Sequence, residues 1–227
     1  MPSSPAFLER TATILRASRP PGWCFGPILF GVGVIHSKVT PTTLPDLVGA
    51  AIQILTLSLP LCIIVFGLND VYDYETDTRN PRKVDGEDIA VLPPVYHQGV
   101  QRAAWISSVV VMAASLGTRR IENILATSAL VLLGWQYSAP PIRFKDIPIL
   151  DSLSNGTIVF LSWLVGFSFG GESIFSTPPK GYMLLLCGAG LHALGAVMDA
   201  DSDAAAGQRT IATYLGARRA TIFATLT

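Results

Sequence analysis

The chain has 227 residues, half of them hydrophobic, 14% charged and formally neutral overall, with a mean hydropathy of +0.46. Soluble domains carry about 25% charged residues, so this balance excludes an ordinary soluble domain. The zero net charge argues against a nucleic-acid partner.

The N-terminal stretch holds Glu9, Arg10, Arg16 and Arg19 and has no early apolar core, so no cleavable signal peptide is expected. Apolar runs then predict helices over 21–37, 45–72, 100–117, 121–138, 150–170 and 181–200. Pro20 and Pro21 fit the start of the first. A membrane span needs about 20 mostly apolar residues, which the second, fifth and sixth runs meet. The third and fourth are short, with only Thr118, Arg119 and Arg120 between them, and predict a tight helical hairpin. Another apolar run opens at Ala220, and the sequence stops at Thr227. The expected architecture is all-α: a polytopic transmembrane bundle of six helices ending inside a seventh. Residues 1–227 then form one incomplete membrane domain. Cys24, Cys62 and Cys187 fall in apolar stretches and read as small buried hydrophobes rather than disulfides or metal ligands.

Lys and Arg placement predicts the topology. Arg10, Arg16, Arg19, Arg79, Arg82, Lys83, Arg102, Arg143, Lys145, Arg209, Arg218 and Arg219 share one side if six helices alternate. Only Lys38, Arg119, Arg120 and Lys180 lie opposite. This bias predicts a cytosolic N-terminus, with the mouth of any site formed at that end also cytosolic. The organelle is not legible.

Two acidic runs end apolar stretches on that predicted cytosolic side. The first is Asn69-Asp70-Val71-Tyr72-Asp73-Tyr74-Glu75-Thr76-Asp77 and the second Asp199-Ala200-Asp201-Ser202-Asp203. Carboxylates at the mouth of a membrane helix are costly unless something pairs with them. On a continuing helix, Asp70, Asp73 and Asp77 fall along one stripe bordered by Asn69. Asp199 and Asp203 share a face of the second run, with Asp201 and Glu75 as bystanders. Like charges so close repel unless cations neutralise them. Mg²⁺ takes few carboxylates and shares its remaining positions with substrate phosphate and water. Arg82, Lys83, Arg143, Lys145 and Arg209 supply cationic donors on the same side.

Each feature also has a plainer reading. A single charge run beside a membrane helix is usually a solvated loop, and basic residues often serve only to orient the chain. The second run mimics a calcium loop but has Ala204 where such loops need Gly and Thr210 where they need Glu. His192 shares a helix face with Asp199, either lining a cavity or as a hydrogen-bonded interior histidine. Asp151 and Asn155 open the fifth helix as N-terminal residues or as pocket lining. Asn155-Gly156-Thr157 matches a glycosylation sequon but falls at a helix start on the cytosolic side. Gly188-Ala189-Gly190 reads as close helix packing.

Three ordered motifs carry a resemblance over nearly the whole chain. Asn69-Asp70-x-x-Asp73-x-x-x-Asp77 and Asp199-x-x-x-Asp203-x-x-x-Gly207-x-x-Thr210 resemble the two signatures of the UbiA superfamily of intramembrane prenyltransferases. Tyr137-Ser-Ala-Pro-Pro-Ile-Arg143-Phe-Lys145 is similar to that family's segment before the fifth helix. The fuller strings around Asp70 and Arg143 look most like the carotenoid (lycopene) elongase branch. The resemblance implies a helical bundle around a central cavity. Asn69, Asp70, Asp73 and Asp77 would form one metal site, and Asp199 and Asp203 a second. Arg82, Lys83, Arg143, Lys145 and Arg209 would contact the diphosphate, with Tyr137 near the reacting carbon. The family has nine transmembrane helices, against six and a stub here.

The implied reaction is Mg²⁺-dependent transfer of a prenyl group from an allylic isoprenoid diphosphate to a lipophilic acceptor, through a carbocation. The partners implied are the prenyl diphosphate, the acceptor and the bilayer. Two alternatives stay open. A terpene cyclase on the same scaffold shares the ionisation step, and a cation transporter or channel uses the carboxylates as an ion pathway.

Overall fold

The computed structural model describes residues 7–39, 41–84 and 91–227, the side chains of residues 81 and 82 excepted. The described residues are helical with no strand. A short amphipathic helix α1 (Phe7–Ala17) comes first. Pro20–Cys24 forms a 3₁₀ turn rather than the first turn of an α-helix, and α2 (Phe25–His36) follows it. Then come α3 (Leu44–Tyr72), α4 (Pro94–Gly117), α5 (Ile121–Ser138), α6 (Leu150–Phe169) and α7 (Pro179–Met198). Three shorter helices follow: α8 (Ala200–Ala206), α9 (Ile211–Leu215) and α10 (Ala217–Leu226).

All six expected helices are present, and α3, α4, α6 and α7 are long and apolar enough to cross a membrane. The third differs from expectation. It begins at Pro94, not at residue 100, and runs for 24 residues. Its first turns carry His97, Gln98, Gln101 and Arg102, which interrupt the apolar run without interrupting the helix. The tight hairpin at Thr118–Arg120 is present, with Arg119 in the left-handed region (φ 57°). Helix α3 is not uniform: it breaks at Leu57–Ser58, and Ile63–Gly67 winds as a π-helical turn just before the first acidic motif.

Apolar side chains face outward, among them Leu55 on α3, Ile106 and Val109 on α4 and Leu191 and Met198 on α7. Polar groups turn inward, as a bilayer solvent requires. Gln53 of α3 and Asn123 of α5 form a two-way amide pair (2.8 and 3.2 Å). Asn123 also donates to the Val165 carbonyl of α6 (2.9 Å) and accepts from Ser115 of α4 (2.7 Å). Four helices thus meet at one satisfied polar network, which fixes their register. Of the cysteines, Cys62 is buried, whereas Cys24 and Cys187 lie exposed on the bundle's surface, correcting the expectation that all three are interior.

The helices behind the site pack backbone to backbone. A Cβ on Gly166 of α6 would lie 2.0 Å from the Phe30 carbonyl oxygen of α2. One on Gly156 would lie 2.2 Å from the Leu185 carbonyl oxygen of α7, opposite the small residues Gly188 and Ala189. Membrane helices associate through such close packing because no hydrophobic driving force separates them from lipid. Gly166→Ala should therefore force α2 and α6 apart and lower stability by at least ~1–3 kcal/mol. Thermal denaturation in detergent checks this, and a variant as stable as the parent would contradict the close approach.

Candidate active site

Both acidic motifs bend their helices in the same way. Asp73 sits at φ −98°, ψ 0° and Asp199 at φ −99°, ψ 3°, in the bridge region between α and β. Each donates its N–H to the carbonyl four residues back, Asn69 or Gly195, at 3.0 Å. Each then accepts, at 2.8 Å, the N–H of the aspartate four residues on, Asp77 or Asp203. The straight helix expected to carry the first motif is therefore interrupted at Asp73, with Tyr74–Asp77 forming a separate short turn.

The two bends face one cavity of about 390 Å³. Asn69 and Asp73 line it from the first motif, Asp199 and Asp203 from the second. Lys83, Lys145, Arg209 and Tyr137 line it too. Asp70 and Asp77 do not reach the wall. They lie behind it, buried, and hold bases that do: Arg19 Nη2 donates to Asp70 Oδ1 at 3.1 Å, and Lys83 Nζ to Asp77 Oδ1 at 2.7 Å. Glu75 and Asp201 are exposed, as expected of bystanders. The side chain of Arg82 lies outside the described residues.

The loop between α5 and α6 supplies the remaining partners. It turns through a cis Pro140–Pro141 bond. Lys145 Nζ donates to Asp73 Oδ2. Arg143 does not line the cavity. Its guanidinium instead donates to Asp146 Oδ2 (2.6 Å) and the Tyr72 carbonyl (3.1 Å), and its Nη2 lies 3.5 Å from Asp73 Oδ1 as an ion pair without a hydrogen bond. Arg143 and Arg19 both occupy the left-handed region (φ 51° and 53°), each at roughly 1–3 kcal/mol of local strain. Their ion pairs hold them there. Burial pulls the Lys145 ammonium down to about 8, while Asp146 and Asp70 act to raise it. Its charge is therefore held against desolvation by the carboxylates around it.

Sequence reasoning missed Arg19 as a site residue. It lies fifty-one positions before Asp70 and reads as a topology charge, yet it lines the cavity and stacks over Phe66 at 4.9 Å. Asn155 lines the cavity. Asp151, almost fully buried, accepts the Ile211 N–H at 2.8 Å. It thus ties the start of α6 to the start of α9, where Thr210 and Thr213 form a reciprocal cap. His192 combines both readings open to it, being hydrogen-bonded and part of the wall.

Among the described residues, no three His, Cys, Asp or Glu side chains come close enough to hold a metal by themselves. The donor set still suits Mg²⁺. It is all oxygen and sparse, and Asp73 Oδ1 is buried without a hydrogen-bond partner among the described residues. Mg²⁺ is usually held by one or two carboxylates with substrate phosphate and water completing the shell.

The sequence profile of the UbiA prenyltransferase family matches residues 24–227. The chain belongs to the UbiA prenyltransferase family. It is an integral membrane protein and a prenyltransferase. Lycopene elongase/hydratase of Haloarcula japonica is 30% identical over 213 residues, covering 89% of this chain and 67% of that protein. The protein of that name from Corynebacterium glutamicum is 34% identical over 221 residues, covering 94% and 72%. Among solved structures, a UbiA homologue from Archaeoglobus fulgidus bound to GPP and Mg²⁺ superposes with a TM-score of 0.77 at 23% identity, over 94% of this chain and 73% of that one. The apo UbiA homologue from Aeropyrum pernix K1 gives 0.67 at 19%, over 92% and 74%. These likenesses place the UbiA fold on the chain.

Within this UbiA bundle the Asp73–Lys145 pair at the cavity is well enclosed, with side chains 2% and 12% exposed. Lys145→Met keeps the bulk and removes the charge. It should lower stability by ~3 kcal/mol, the usual penalty for stranding one partner of a buried pair. Equilibrium unfolding in detergent tests this. Unchanged stability would mean that Arg143 alone satisfies Asp73.

Proposed function

We propose that the chain transfers the prenyl group of an allylic isoprenoid diphosphate to a lipophilic polyene acceptor, with Mg²⁺ shared between its carboxylates and the diphosphate. One observation carries this reading: Asp73, Asp199 and Asp203, from two motifs far apart in sequence, line a single cavity together with Lys83, Lys145 and Arg209. A carboxylate pair alone suits a cation. Carboxylates interleaved with ammonium and guanidinium groups suit a cation and a polyanion held together. The relatives named lycopene elongase/hydratase support a carotenoid-type acceptor, and the homologue structures with GPP or DMAPP support a short allylic donor.

Asp73, Asp199, Asp203 and Asn69 would hold the metal, with Asp70 and Asp77 keeping Arg19 and Lys83 in place behind it. Bound there, Mg²⁺ would neutralise the diphosphate and make it a competent leaving group. Lys145, Lys83 and Arg209 take up the negative charge that grows on the departing oxygen, and they are already oriented before the bond breaks. Val65, Phe66 and Ala196 form the apolar part of the wall and limit water around the allylic cation. Tyr137, buried at the cavity, presents its ring and hydroxyl to that cation. The acceptor's alkene then attacks the cation, and proton loss completes the transfer. The mouth of this cavity is assigned to the cytosolic face by the Lys and Arg bias.

Asp73→Ala and Asp203→Ala should each lower Mg²⁺-dependent diphosphate release from geranyl or dimethylallyl diphosphate by ~10²-fold or more. The assay uses membranes carrying the chain, with and without lycopene, and identifies products by mass. Parent-level turnover in both variants would refute the two-motif site. Products formed only from the donor would favour a cyclase, and ion flux without diphosphate turnover an ion pathway.

A further inference from the structure

Beside the charged half of the cavity lies a neutral hydrogen-bonded chain that the ionisation step does not use. Tyr137 Oη of α5 lies 3.0 Å from His192 Nε2 of α7, and His192 Nδ1 lies 3.1 Å from Ser152 Oγ of α6. Both Tyr137 and His192 reach the cavity wall. Asp151, next to Ser152, acts electrostatically on the imidazole, as does Lys145 from the α5–α6 loop. The Asp151 side chain is almost wholly buried, and its Oδ1 has no hydrogen-bond partner among the described residues. A buried carboxylate near a histidine stabilises the imidazolium that forms when the ring takes a proton.

We infer that Tyr137 and His192 form the proton relay that ends the reaction, with His192 as the acceptor and Ser152 fixing its tautomer. This rests on the prenyl-transfer reading. With Nδ1–H donating to Ser152 Oγ, Nε2 accepts the Tyr137 O–H. A carbocation in the cavity loses a proton from the carbon next to the cationic centre, and the electrons of that C–H bond become the new alkene. The proton goes to Tyr137 Oη as the phenol's own proton passes to His192 Nε2, leaving an imidazolium within the electrostatic influence of Asp151. No oxidant or further reactant is required. The relay decides product type, because a cation that is not deprotonated is captured by water as an alcohol.

The test is a ratio measured with the donor alone. With geranyl diphosphate and Mg²⁺, the allylic cation either loses a proton to give an alkene or takes up water to give an alcohol. His192→Gln keeps hydrogen bonds to both neighbours and cannot take the proton. It should reduce the alkene-to-alcohol ratio at least tenfold, whatever its absolute rate. A plain packing role for His192 would change the rate and leave the ratio alone. Ser152→Ala removes only the hydroxyl beside Nδ1 and should shift the ratio in the same direction by a smaller factor. It decides the matter if His192→Gln folds too poorly to turn over. A parental ratio in the variant that turns over overturns the relay, as does a parent chain that yields alcohol alone. Failure of the prenyl-transfer reading is separate and appears as the absence of acceptor adducts when lycopene is added.

Discussion

The structure depends on how three buried aspartates of one motif are neutralised. Asp70, Asp73 and Asp77 sit at the end of a membrane helix, almost out of contact with solvent. An unpaired buried carboxylate costs several kcal/mol, and three together also repel one another. Each is met by a base from a different stretch of chain: Arg19 before α2, Lys83 beyond the motif, and Lys145 with Arg143 from the loop before α6. Neutralising the motif therefore folds three loops onto one helix end. The same loops then form the wall of the cavity. Site and fold share one set of ion pairs, two of them made by arginines whose backbone is left-handed.

Away from the charges, the bundle is held by different means. The Gln53–Asn123 pair, with Ser115 and the Val165 carbonyl, pins four helices at one level. The glycine contacts of α6 with α2 and α7 bring backbones together where side chains would separate them. These devices set the spacing of α5, α6 and α7, and hence the reach between Tyr137, Ser152 and His192. Hydrogen bonds of about 3 Å across three helices require that spacing to hold within a few tenths of an ångström.

The helices and the convergence of the two acidic runs were legible because they rest on local pattern: apolar length, four-residue spacing and charge bias. What escaped was tertiary. Arg19 looks like any juxtamembrane arginine until its own left-handed backbone, just before Pro20, aims it at Asp70. Arg143 looks like a ligand contact until its two acceptors and its ion pair with Asp73 are seen. The start of α4 is hidden from hydropathy because the polar residues in its first turns weigh against an apolar run though not against helix formation. The interruption at Asp73 has no sequence mark, since neither Gly nor Pro stands between Asn69 and Asp77.

The π-helical turn at Ile63–Gly67 has a geometric consequence. A π turn accommodates one more residue than an α turn, and each residue advances a helix by about 100°. Everything after Gly67 is thus rotated relative to the face that presents Leu61 and Cys62 to the bundle. The extra residue acts as a phase shifter: one helix faces its structural neighbours in its first half and its reactive neighbours in its second. A lineage that lost a single residue from this turn would keep its membrane span, its hydropathy and its aspartates. It would nonetheless swing Asn69 and Asp73 about a quarter of the way round the axis, away from the wall they share with the second motif.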